Sequence, residues 1–263
     1  MLDSVCAAHS EYRLVRSPSI RFSEIISALS VALDLTQGHP QGHSMRSCLI
    51  GMRIASVLSL SVADCSALFY ALLLKDLGCS SNAAKIAYLF SGDDHQIKHS
   101  ARLIDWTSPR QCIKHCWENC APDGSTINKL AKVATIVAGG PKGGRQISEI
   151  RCERGAAIAK MLRLSDATAE AIRDLDEHWN GKGNPRGKKG EEISLLGRIC
   201  GLAQSVEVFL SEKGLPSALK MACERRAKWF DPQIVDALLT FQSDTDFWSG
   251  LRCNDRRIRA TRR

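Results

Sequence analysis

Apolar positions recur at three- and four-residue intervals along most of the chain, and strict alternation is scarce, so the pattern predicts helices almost throughout. A first helix is expected over residues 22 to 35, FSEIISALSVALDL, and the Gly/Pro break TQGHPQGH separates it from a second over 43 to 58. A third, over 63 to 77, is apolar on every side from Ala67 through Leu74, the mark of a helix enclosed by other helices. Lys75 and Asp76 stand at its end beside Gly78. Charges placed there are costly unless they reach water, each other, a metal or a ligand, which makes this junction a candidate site.

Residues 79 to 145 carry a weaker pattern. SSNAAKIAYLF predicts a short helix, SGDDHQIKHS and DWTSP a polar connection, and INKLAKVATIVAGG a further helix that GGPKGG ends in a flexible connector. ISEIRCERGAAIAKMLRL and SDATAEAIRDLDEHW then predict a helical pair, with Ser165 capping the second. After the loop NGKGNPRGKKGEE, a long helix is expected from near Ile193. It carries Leu195, Ile199, Leu202, Val206 and Leu210 on one side, and Gly197, Gly201 and Gln204 toward another. The two glycines there permit close packing or access to a site. Helices near 215 to 228 and 231 to 240 follow, the last opened by Pro232 after Asp231.

Composition narrows the class. With 263 residues, 44% hydrophobic and 24% charged, the chain is expected to be a globular all-α protein. No apolar run reaches the roughly 18 residues of a membrane-spanning helix, and the N-terminus lacks the order of a secretory signal, so a cytoplasmic location without a membrane span is expected. Eleven cysteines, an odd number spread along the chain, read as reduced thiols in ordinary packing. Cys112, Cys116 and Cys120 recur every four residues near His115, but a helical rise of about 12 Å between the outer two argues against one zinc site using all three. Of the net charge of +8, the last thirteen residues, LRCNDRRIRATRR, contribute +5, which leaves weak nucleic-acid contact open to the basic tail alone.

The stretch RDLDEHWNGKGNPRGKKGEEISLLGRICGLAQSVEVF, with GHSMR near residue 43 and LLLKDLG near residue 75, resembles the HD-GYP branch of the HD phosphohydrolases over about residues 22 to 240. The resemblance implies a compact HD-type multi-helix domain with additional C-terminal helices, preceded by an extension over residues 1 to 21 and followed by one over 241 to 263. It also implies a pocket where two or more metals activate water and cleave phosphodiester bonds, often in cyclic di-GMP.

Carried over residue by residue, the resemblance implies a depleted site. His43 fits the family's first histidine, while the paired His-Asp becomes Lys75-Asp76. Cys79 stands where a lysine is common, Arg151 and Leu175 replace expected histidines, Asp176 replaces another, and Gln204 stands for an aspartate. Cationic and apolar groups at these places disfavour a standard bimetal centre. The expected function is therefore a catalytically degenerate regulatory domain that binds a protein partner or a nucleotide-like anion through Lys75, Arg151 and Lys182, with no cofactor and with homodimerisation open. The alternative is an unconventional metal-dependent phosphodiesterase acting on a cyclic dinucleotide or related phosphate ester. In it His43, Asp76 and Asp176 hold one divalent metal, Glu177 or Gln204 assists, and Asp76 is the residue on which turnover depends. His178 reads equally as packing at the pocket rim.

Overall fold

The structure, a computed structural model, describes residues 20–122 and 124–251. The N-terminal extension before Ile20 and the basic tail after Leu251, with the nucleic-acid contact expected of it, lie outside the described residues. Among the described residues there is no β-strand, only two isolated bridges, and the fold is all-α. No helix among them is long and apolar enough to cross a membrane.

Among the described residues eleven α-helices follow one another: α1 (Phe22–Thr36), α2 (His43–Val57), α3 (Val62–Leu74), α4 (Ala83–Phe90), α5 (Asp94–Ala101), α6 (Pro109–Asn119), α7 (Thr126–Met161), α8 (Asp166–Asp174), α9 (Leu195–Lys213), α10 (Leu215–Glu224) and α11 (Pro232–Leu239). Their starts follow local chemistry. Ser61, Ser125, Ser165 and Ser194 each accept a backbone N–H three residues on, and Asp231 caps α11 ahead of Pro232.

The uniformly apolar α3 is the central element, with Leu68, Ala71, Leu72, Leu73 and Leu74 wholly buried between α2, α8 and α9. The main core continues past residue 240 through Phe241, Trp248 and Leu251. A second, smaller core of Phe90, Ile97, Cys116, Cys120 and Val133 joins α4, α5 and α6 to the start of α7. Between them these short helices occupy the stretch expected to be mainly connection. One buried apolar residue, Ile97, and the Asp93 cap suffice to hold α5, which is too little for a periodic signal.

The break expected at GGPKGG is absent: α7 runs unbroken for 36 residues. Its ends are anchored separately, by Val133 in the small core and by Ala156 and Ala159 in the main one. The face of α9 bearing Gly201 serves packing, since a Cβ there would lie 2.8 Å from the Leu175 carbonyl oxygen. A closer approach occurs at Gly78, just after α3, where a Cβ would lie 1.9 Å from the Arg151 carbonyl oxygen. The turn after α3 thus presses directly on α7 and fixes where Asp76 sits.

Candidate metal centre

The site begins with Asp34, wholly buried near the end of α1. Its carboxylate accepts the Gly42 N–H at 3.0 Å, the Ser44 N–H at 3.1 Å and the Ser44 hydroxyl at 2.7 Å, which pins the first turn of α2. The turn between α1 and α2 carries His39, and α2 opens with His43; the two rings stack with centroids 3.9 Å apart. Asp76 reaches the same place from the turn after α3. Candidate donor atoms of His39, His43 and Asp76 lie within 4.8 Å of one another, all three residues are buried, and among the described residues this is the one such cluster.

Surrounding groups fix the proton positions. His43 Nδ1 meets the buried carboxylate of Glu207 on α9, which also accepts Arg46 Nε at 2.7 Å and the Ser211 hydroxyl at 2.8 Å. Lys75 Nζ donates to His43 Nε2 at 2.8 Å and to the Asp76 carboxylate. An ammonium can only donate, so His43 presents a lone pair at Nε2 and carries its proton at Nδ1, toward Glu207. Arg102, at the end of α5, donates Nη1 to His39 Nδ1 and sets Nη2 3.8 Å from Asp76 Oδ1. That places the His39 proton on Nε2, which lies 4.0 Å from Asp76 Oδ2 and has no hydrogen-bond partner.

Burial, reinforced by neighbouring His43 for one ring and by Lys75 for the other, holds both histidines well below the usual range and keeps them neutral. Burial alone drives the Asp76 carboxyl upward, but Lys75, Arg102 and the two histidines outweigh it and hold that group well below its ordinary value. Glu207 is pushed up by burial, against the opposing pull of Arg46. Two neutral imidazoles and an ionised carboxylate are donors suited to a divalent transition metal. The carboxylate behind His43 is the outer support such a ligand commonly has. The donor set therefore fits one divalent ion once Lys75 withdraws from His43 Nε2 and the His39 proton moves from Nε2 to Nδ1.

The other expected site residues fall elsewhere. Asp176 is outside the cluster and forms an ion pair with Arg151, with Cys152 Sγ 3.8 Å from its carboxylate. Glu177 accepts the Arg186 N–H at 2.6 Å and the Lys188 N–H at 3.0 Å and so ties down the loop before α9. Lys182 is exposed on that loop, Leu175 is buried in the core, and Gln204 is half-buried. His178 stacks on Trp229 with centroids 4.1 Å apart. Cys112, Cys116 and Cys120 are free thiols on and beside α6 and are not part of the cluster.

His39, Arg102 and Glu207 were not anticipated. His39 and His43 do share a four-residue spacing, but Gly38 and Pro40 mark the first as part of a break. Arg102 and Glu207 carry no local signal, because their partners are 63 and 164 residues away.

Residues 144–234 match the family model described as HD domain. Over 233 residues the chain is 40% identical to 3'3'-cGAMP-specific phosphodiesterase 3 of Vibrio cholerae serotype O1, an alignment that takes in 89% of this chain and 50% of that protein. The crystal structure of the cyclic GMP-AMP-specific phosphodiesterase V-cGAP3 of V. cholerae superposes with a TM-score of 0.66 at 36% identity, over 90% of this chain and 52% of that one. The chain thus spans about half the length of the relatives it matches.

These findings correct the expectation of a degenerate, purely regulatory domain. It rested on replacements at Lys75, Arg151, Leu175 and Gln204, but the fold restores a donor set by bringing His39 beside His43 and Asp76, and the similar proteins are phosphodiesterases. Over residues 144–234 the chain is thus similar to an HD domain, and its all-helical fold is like that of the V. cholerae phosphodiesterase.

Proposed function

We propose that this protein is a metal-dependent phosphodiesterase acting on a cyclic dinucleotide. The observation that carries the reading is the convergence of His39, His43 and Asp76 in one buried cluster. Its support from relatives is the 3'3'-cGAMP specificity of the V. cholerae phosphodiesterase. Nε2 of each histidine and the Asp76 carboxylate would hold the ion. Bound there, a divalent metal would lower the pKa of a water and offset charge developing on the phosphoryl oxygens.

The remaining work falls to the chain. Glu207 holds the His43 ring and keeps its proton on the far nitrogen. Arg151, partly exposed beside Asp176, and Arg102 over Asp76 supply guanidinium groups near the cluster for a phosphate. The crevice at His39, His43, Arg102, Glu207 and Ser211 has a volume of about 10 Å³, room for one water. Admission of a phosphodiester therefore requires side chains that line the crevice to move. We place the activity in the cytoplasm, a reading supported by the free thiols of every cysteine among the described residues.

The test is incubation of the purified protein with 3'3'-cGAMP and cyclic di-GMP in the presence of Mn²⁺, with products separated by chromatography. Cleavage of at least one dinucleotide, lost in Asp76→Asn, is expected. A folded protein that leaves both intact at saturating metal overturns the reading.

A further inference from the structure

Lys75 is the most unusual group near the cluster: its side chain is wholly buried and ends among the very donors that fit an ion. Its Nζ lies 2.8 Å from His43 Nε2 and also contacts Asp76 Oδ2. A buried ammonium needs compensation, and two of its three protons find it in the ligand atoms themselves. The single lone pair of His43 Nε2 is directed at the ammonium, so an ion and the Lys75 head cannot use that nitrogen together, and at Asp76 they compete for the same charge. The neighbouring cations do not duplicate this contact, since Arg102 addresses His39 Nδ1 and Asp76 Oδ1, while Arg46 is engaged by Glu207.

We propose that Lys75 is a tethered competitor for the metal, holding His43 and Asp76 together in the metal-free protein and withdrawing when an ion enters. The inference rests on the metal-site reading of the proposed function. Its consequence is an affinity threshold: the ion must displace a positive charge fixed a few ångströms away, so loading requires more free metal than the donor set alone would need. The side chain is long and unbranched, and a change of rotamer moves its head without disturbing the α3 backbone.

The experiment compares Mn²⁺ binding by wild type, Lys75→Met and Lys75→Gln, with free Mn²⁺ read from its electron paramagnetic resonance signal and helix content checked by circular dichroism. Methionine keeps the bulk without charge; glutamine keeps a polar head should the methionine variant fail to fold. Binding at least about tenfold tighter in the folded variants is expected. Equal or weaker binding in them overturns the competitor role while leaving the metal site in place. If neither wild type nor folded variants retain Mn²⁺, the competitor role falls together with the cluster as a metal site, and dinucleotide cleavage measured alongside decides separately whether the phosphodiesterase reading survives.

Discussion

Glu207 faces His43 across the buried boundary between α9 and α2, 164 residues apart in sequence, and the same carboxylate neutralises Arg46. One side chain therefore serves stability and ligand orientation together. Replacing it with glutamine removes the carboxylate charge beside Arg46 and weakens the hold on the His43 proton. We expect Glu207→Gln to cost about 2 to 4 kcal/mol in urea unfolding and to weaken Mn²⁺ binding by about tenfold or more. A variant that loses stability yet binds the ion as well as wild type would show that Glu207 is structural only.

Gly78 is a second point where fold and site coincide. A methyl group there would lie 1.9 Å from the Arg151 carbonyl oxygen and 2.9 Å from the Gly155 nitrogen, both backbone atoms that cannot turn away. The α3 turn must then retreat from α7, carrying Asp76 with it. Gly78→Ala is expected to lower the unfolding free energy by about 3 kcal/mol or more. A loss under about 0.5 kcal/mol, the usual scale of a neutral surface change, would mean that the two segments have slack between them.

The legibility of these features differs for physical reasons. The enclosed α3 announces itself because every face from Ala67 to Leu74 is apolar, and Ser165 marks the start of α8 by its cap. By contrast, α7 passes through GGPKGG because packing at both its ends holds it, a condition no local window contains. At the site, His43 and Asp76 are recognisable from their surroundings, whereas His39 sits in a segment whose glycine and proline signal only a break. Each replacement within the motif removes a ligand at its own position, whereas His39 lies outside the motif and joins the cluster only through the fold. Glu207 and Arg102 become visible only when helices distant in sequence are packed together.

His178 gives a pH dependence with a definite sign. Burial, followed by the charge of Arg225, lowers its pKa from 6.5 to about 4. Between those values the unfolded chain binds a proton that the folded chain refuses, so this contribution to stability is present above about 6.5 and is lost as pH falls toward 4. His39 and His43 act in the same direction, while Asp34, Glu177 and Glu207, whose carboxyls are raised by burial, act in the opposite one. The difference between wild type and His178→Phe isolates the single group. Wild type should lose about 1 to 3 kcal/mol more than the variant between pH 7 and pH 4, followed by urea unfolding with tryptophan fluorescence. Parallel curves would remove His178 as a source of acid sensitivity.

The two stacked histidines should differ in where they carry a proton. Lys75 can donate to His43 Nε2 only if that nitrogen has a lone pair, and Arg102 can donate to His39 Nδ1 only on the same condition. In the metal-free protein His43 is therefore expected to carry its proton on Nδ1 and His39 on Nε2. Ligation through Nε2 leaves the first unchanged but requires the second to reverse, which Arg102 opposes for as long as it stays in place. Ring ¹⁵N shifts of the histidines, assigned with His39→Gln and His43→Gln, should show opposite tautomers without metal. Arg102→Ala should allow His39 to move toward the Nδ1–H form, and adding diamagnetic Zn²⁺ should complete the change. Identical tautomers for both rings in the metal-free wild type would contradict the donor directions on which this account of the centre depends.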